Sequence, residues 1–356
     1  MIKQLQSLLK LPECAIDGCL IISPENRRYF TSFESSDGYL LVSRNRAVFI
    51  TDSRYIEAAQ KKAADCEVVL QSSNITQLSD IFSEMGVKKI GIEASRMTVC
   101  VLEMLKEKLS GFEFVTDDSL DTYISSLRSV KNYTEVEYIK SAQRIAERAL
   151  EHALSFIRPG VTEKEIQLEL DFYMLKNGAE ALSFETIAVA GKNSSMPHGV
   201  PSEYKVKNGD FITMDFGAVV NGYHSDMTRT VALGNATDEM KTVYETVLKA
   251  QKAGIEAIKD GVKCSDADKA ARDVIKNAGY GEYFGHGFGH GVGAEIHEYP
   301  SLSPRSESTL RSGNIVTSEP GIYIPEKFGV RIEDMIFVTD SGNENLTCAP
   351  KELIIL

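Results

Sequence analysis

The chain has 356 residues, 43% apolar and 25% charged, an ordinary globular composition long enough for two domains. Its formal net charge of −12 speaks against nucleic acid or an anionic membrane surface as a partner. The amino terminus lacks an apolar core with a small-residue cleavage site, and no apolar run approaches the ~20 residues needed to span a bilayer. A cytoplasmic protein is therefore expected, its six scattered cysteines reduced and none assigned to metal.

From Asp17 to about Thr116, short apolar runs alternate with helical patterns. GCLIIS, GYLLVS, RAVFITD, CEVVLQ, KKIGIEA and FEFVTD read as strands. SRYIEAAQKKAAD, TQLSDIFSEMG and SRMTVCVLEMLKEKLSG read as helices with apolar spacing of three and four. This alternation predicts an α/β domain, and its residues suggest no chemistry of their own. The polar stretch Asp117–Lys131 reads as the boundary, giving domains over 1–125 and 126–356. A long helix follows over about 134–156 with Thr134 as its cap, then a second in which Thr162 and Glu165 match a capping box. SFETIAVAGKNSSMPHGVPS reads as a strand and a loop carrying His198. Two more amphipathic helices start at Thr237 or Asp238 and at Ser265.

Between these helix pairs, FITMDFGAVV and YHSDMTRTVAL flank Asn221-Gly222. That dipeptide is a strong hairpin signal, because both residues tolerate φ > 0. A tight turn there sets Asp215 opposite Thr228 and Gly217 opposite Asp226. All four then share one face, and the two aspartates become diagonal neighbours roughly 7 Å apart at the backbone. Two carboxylates side by side in a core repel and lose solvation unless a proton or cation joins them. Further on, GHGFGHGVGAEIHEYP supplies His286, His290 and His297 within twelve residues. NIVTSEPGIYI and VRIEDMIFV each set a carboxylate, Glu319 or Glu333, inside an apolar strand-like run. Arg331 offers Glu333 a salt-bridge alternative.

Asp215, Asp226, His290, Glu319 and Glu333 make one imidazole and four carboxylates. Such ligands suit Mn²⁺, Co²⁺, Fe²⁺ or Zn²⁺ rather than a thiolate zinc site. Four negative charges balance two divalent ions, and two ions ~3.5–4 Å apart can share a water and lower its pKa towards ~7.

Here the chain resembles a known family. SFETI, PHGVPS, MDFGAVVNGYHSDMTRT, GHGFGHGVGAEIHEYP, SEPGIYI and GVRIED match in order the metallopeptidases of the pita-bread fold, which include methionine aminopeptidase, aminopeptidase P and prolidase. YFTSFESSDGYLLVS and FITDSRYIEAA resemble the creatinase-type amino-terminal domain, so nearly the whole chain is covered. The resemblance implies an α/β (α+β) chain, a creatinase-like domain followed by a pita-bread catalytic domain. That amino-terminal domain argues against a simple methionine aminopeptidase, and the intact ligand set argues against creatinase itself. By resemblance, Asp226 and Glu333 would bridge two metals, manganese first among the candidates. Asp215 would complete one ion, and His290 with Glu319 the other. His198 would sit at the mouth of the site and His297 would steady the scissile carbonyl. Glu319 would pass a proton to the leaving nitrogen. Arg305 resembles the arginine that receives a substrate carboxylate. Phe184, His286 and Tyr323 would line the pocket, and Thr228 and Arg331 would orient ligands. His152 and His224 are read as structural.

The implied activity is cleavage of the bond before proline in proline-containing peptides, by a homodimer. Aminopeptidase is favoured slightly over the alternative, an Xaa-Pro dipeptidase or prolidase. A non-catalytic binding homologue and a creatinase-like C–N hydrolase that needs no metal are the other readings.

Overall fold

The computed structural model describes residues 1–72 and 74–356 and divides into two compact units, Met1–Arg128 and Ser129–Leu356. The first contains α1 (Ile2–Leu9), β1 (Gly18–Ile21), α2 (Pro24–Thr31), β2 (Tyr39–Ser43), β3 (Ala47–Thr51), α3 (Ile56–Lys62), β4 (Glu67–Leu70), α4 (Asn74–Glu84), β5 (Lys89–Ile92), α5 (Val99–Lys108), β6 (Glu113–Val115) and α6 (Ser119–Ser129). All six strands expected from the sequence form one sheet in the order β4-β3-β2-β1-β5-β6. It is a mixed sheet, antiparallel at β1–β2 and β2–β3 and parallel elsewhere. Its buried carboxylate, Glu93, is consumed locally. It accepts from the Ile22 and Ser23 amides and from the Ser23 and Asn26 side chains, beside the start of α2, which Ser23 caps.

The polar stretch 117–131, read as the boundary, is mostly α6, because Leu120 and Ile124 recur on one side and bury in the core of the first unit. The cap of the next helix lies two residues before the expected Thr134. Asn132 accepts from the Glu135 amide and Glu135 reaches back to the Asn132 amide, a reciprocal cap.

The second unit runs α7 (Tyr133–Phe156), α8 (Glu163–Lys176), β7 (Ala181–Leu182), β8 (Ile187–Ala190), β9 (Phe211–Phe216), β10 (Ala218–Val220), β11 (Tyr223–His224), β12 (Met227–Ala232), α9 (Asp238–Ala257), α10 (Cys264–Asn277), β13 (Gly289–Gly291), β14 (Glu298–Leu302), β15 (Ile315–Ser318), β16 (Gly321–Ile324), β17 (Phe328–Arg331), β18 (Asp334–Thr339) and β19 (Gly342–Asn345). The pair α7–α8 packs on β8, β9 and β12, and α9–α10 packs on the strands that follow, giving two separate apolar clusters. The Thr162–Glu165 box caps α8 and Thr237 caps α9, as their sequences predict. The hairpin has the predicted register, with Asp215 opposite Thr228 and Val219 opposite His224. Asn221 and Gly222 both have positive φ, 51° and 77°, as the tight turn requires.

Glu319 and Glu333 do not lie inside strands. Glu319 follows β15 and precedes Pro320, which has no amide to continue a ladder. Glu333 sits between β17 and β18, where the backbone passes from the two-stranded sheet to the five-stranded one. Among the described residues no helix is long and apolar enough to cross a membrane, and all six cysteines are free.

Candidate metal centre

Five strand ends converge on one cavity of about 730 Å³. Asp215 reaches it from β9, Asp226 from the start of β12, His290 from β13, Glu319 from the end of β15, and Glu333 from the β17–β18 link. Ligand atoms of Asp226, His290 and Glu333 all lie within 4.8 Å of one another. His290 Nε2 is 3.5 Å from Asp226 Oδ2 and 3.3 Å from Glu319 Oε1. The opposite ring nitrogen, Nδ1, is 3.1 Å from the Gly291 carbonyl oxygen. That contact assigns the proton to Nδ1, so the Nε2 lone pair faces the carboxylates.

The protein leaves this charge unbalanced. Burial, then Glu333, Asp215 and Glu319, push the Asp226 carboxyl well above its ordinary range. Glu333 rises likewise through burial and then the charges of Glu319 and Asp215. Burial carries Glu319 up to about 7, against the opposing pull of Arg331. Burial also lowers His290, so its imidazole stays neutral. Arg331 is the nearby cation, but it pairs with Asp215 Oδ2 at 2.6 Å rather than with Glu333, the alternative partner expected from sequence. Glu333 Oε2 instead accepts from the Thr228 hydroxyl at 2.6 Å. The other Asp215 oxygen, Oδ1, is buried without a hydrogen-bond partner. An unprotonated imidazole nitrogen, a partnerless carboxylate oxygen and crowded carboxyl groups together fit a divalent cation.

Around the cluster, Thr317 performs a role the sequence reading missed. Its hydroxyl accepts from the His290 amide at 3.0 Å and donates to Glu319 Oε1 at 3.1 Å, tying two candidate ligands together. Its signal was its position two residues before Glu319, on the same side of an extended chain. Arg331 also donates to Thr228 Oγ1, Tyr323 Oη and the Pro197 carbonyl. Tyr323 therefore donates its hydroxyl hydrogen to His286 Nε2, 2.9 Å away. Burial lowers His286 to about 4, consistent with an accepting, neutral ring.

His198, His297, Phe184 and His286 line the cavity, and the His297 ring centroid is 4.3 Å from that of His290. Tyr323 and Thr228 lie behind the wall rather than on it. Arg305 departs from expectation. It is exposed and off the wall, which its segment reaches through Ser301 and Ser303. Lys164, Gln167 and Glu185, absent from the sequence reading, also line the cavity. They sit on the start of α8 and beside Phe184, where their residue types alone gave no sign of proximity. His152 stacks on Tyr173 and meets Glu169 at 2.8 Å, a structural role.

The model of metallopeptidase family M24 matches residues 137–340, and that of the creatinase/prolidase N-terminal domain matches residues 1–130. The Xaa-Pro dipeptidase of Pyrococcus furiosus is 37% identical over 357 residues, covering 99% of this chain and 100% of that protein. The structure of an Xaa-Pro dipeptidase from Bacillus anthracis superposes with a TM-score of 0.95 at 46% identity, covering 100% of this chain and 99% of that one. The crystal structure of an X-Pro aminopeptidase from Thermotoga maritima gives a TM-score of 0.90 at 37% identity, covering 96% and 98%.

Proposed function

The chain belongs to metallopeptidase family M24, and from that premise we propose that it is an Xaa-Pro dipeptidase, hydrolysing the bond between an amino-terminal residue and a carboxy-terminal proline. The observation that carries the reading is the Asp226–His290–Glu333 cluster, an accepting imidazole nitrogen set among carboxylates that lack a protein cation. The dipeptidase takes precedence over the aminopeptidase that the sequence favoured, because relatives described as Xaa-Pro dipeptidases match this chain over nearly its full length. The Thermotoga maritima aminopeptidase keeps the longer-substrate reading as the second one.

Asp215, Asp226, His290, Glu319 and Glu333 would hold two divalent ions, with manganese as the first candidate. Such ions, when bound, supply Lewis acidity and water of lowered pKa. The rest falls to the chain. The bond before proline is a tertiary amide, so its nitrogen offers no hydrogen to bind and must be protonated to leave. Glu319 is suited to carry that proton, since Thr317 holds its Oε1 and fixes the side chain on the cavity wall. His297 and His198 face the same space and can donate to a carbonyl oxygen that gains charge. Thr228 and Arg331 orient Glu333 and Asp215 from behind.

The test compares an Xaa-Pro dipeptide with an Xaa-Pro-Xaa tripeptide on metal-stripped protein supplied in turn with Mn²⁺, Co²⁺ and Zn²⁺. Turnover of the dipeptide, strongest with Mn²⁺, is expected. Turnover confined to the tripeptide overturns the dipeptidase, and full turnover in strong chelator overturns the metallopeptidase mechanism.

A further inference from the structure

His198 is delivered to the cavity by the segment 191–202, and both ends of that segment converge on one carboxylate outside the metal cluster. Glu163, the first residue of α8, is 0% exposed. Its Oε1 accepts from the Ala190 amide at 2.6 Å and from Asn193 Nδ2 at 3.1 Å, at the segment's entry. Its Oε2 accepts from the Ser202 amide at 3.0 Å and the Ser202 hydroxyl at 2.6 Å, at the exit. Backbone bonds from the Glu163 amide to Tyr204 and from the Lys164 amide to Ser202 close the same junction. The positive end of the helix dipole favours an anion at this position. Between the two anchored ends, Pro197 to Pro201 line the cavity, and the Pro197 carbonyl is held by Arg331, which also holds Asp215.

We propose that Glu163 is a positioning residue for the reaction: by clamping both ends of the segment it fixes His198 against the metal ligands. The proposal rests on reading this cavity as the peptidase site. Glu163 touches no reacting atom, and its effect on the reaction runs chiefly through His198. A shape-preserving change, Glu163→Gln, removes two of the four accepted bonds, because an amide nitrogen cannot accept from Ala190 or Ser202.

The experiment combines a double-substitution cycle with histidine NMR on the full-length protein, the spectra being recorded with diamagnetic Zn²⁺ in place of Mn²⁺. E163Q is expected to lower kcat/KM on an Xaa-Pro dipeptide by about 10- to 100-fold, the cost of slight misplacement. In an H198A background the same change is expected to matter less than about twofold, because residues acting through one another are not additive. The His198 ring signal, assigned by its loss in H198A, should shift or broaden in E163Q while that of His152 stays. Equal losses in both backgrounds, or an unmoved His198 signal, overturn the proposal and leave Glu163 a purely structural anchor. A wild-type protein inactive on every proline peptide sinks the peptidase reading alone, and the histidine spectrum still decides the role of Glu163.

Discussion

Glu333 and Asp334 are neighbours in the chain, 2% and 0% exposed, and their carboxyl groups are driven in opposite directions. Burial raises both, but Asp334 meets Arg229 at 2.8 Å and Lys351 at 2.7 Å, and these cations hold it below the ordinary aspartate value. Gln251 and Asn345 donate to it as well, so its charge is fully answered by the protein. Glu333 has a hydroxyl and no such pair, and its carboxyl rises. Asp334 is therefore a structural carboxylate, whereas Glu333 remains a candidate metal ligand. Asp334→Asn should cost about 3–5 kcal/mol in urea unfolding at neutral pH, since it strands the buried Arg229 and takes the partner from the half-buried Lys351. The sign with pH follows from the depressed folded value. The stabilisation is complete above the unfolded value of about 3.9 and disappears as pH falls through the lower folded one. The wild-type unfolding midpoint should therefore drop below about pH 4 more steeply than that of D334N. Asp226→Asn should do the reverse to the metal-free protein. The Asp226 carboxyl is raised, so its ionised form opposes folding at pH 8, and the amide should unfold at higher urea while kcat falls by at least about a hundredfold. Lower stability of metal-free D226N would contradict the repulsion argument.

At the scale of elements, close backbone approach is what brings the ligands together. A Cβ on Gly217 would stand 1.9 Å from the Ser225 carbonyl oxygen, in the hairpin that carries Asp215 and Asp226. A Cβ on Gly289 would stand 2.1 Å from the Thr317 carbonyl oxygen, where β13 with His290 passes β15 and Glu319. Neither obstacle is a flexible side chain, so the strands themselves must part. Gly217→Ala and Gly289→Ala should each weaken Mn²⁺ binding by about 10- to 100-fold in titration calorimetry. Gly285→Ala is the control from the same histidine-rich stretch, since its Cβ would meet nothing within 4 Å, and it should bind as the wild type does. The hairpin was legible in the sequence because its information is local: a turn pair at Asn221-Gly222 and side chains alternating at period two. Thr317 was not, because its importance comes from a bond to His290 on another strand. Nor could the sequence say where Arg305 stands, since a basic residue near a motif says nothing about whether it lines the cavity.

Across the whole molecule, legibility again follows contact range. The six strands of the first unit could be read from their own apolar runs, whereas their order β4-β3-β2-β1-β5-β6 depends on pairings between distant segments. The helices α1 and α2 were missed: each is 8 residues, a length at which burial of Ile2, Leu5 and Leu9 or of Tyr29 and Phe30 decides the outcome more than propensity. The division into units also assigns the chemistry. All five candidate ligands belong to Ser129–Leu356, and the one buried carboxylate described above for the first unit, Glu93, is answered by its own neighbours. Metal binding is linked to the state that assembles the site, and at a hundredfold excess over Kd it adds about 2.7 kcal/mol. That increment should appear where the ligands are. In hydrogen–deuterium exchange of metal-stripped protein, added Mn²⁺ should slow the amides of β9, β12, β13 and β15 and leave β1 to β6 unchanged. The D226N protein should lose the effect throughout. Slowing in β1 to β6 with none in β9 and β12 would move the metal to the other unit, and with it the whole account of the carboxylate cluster.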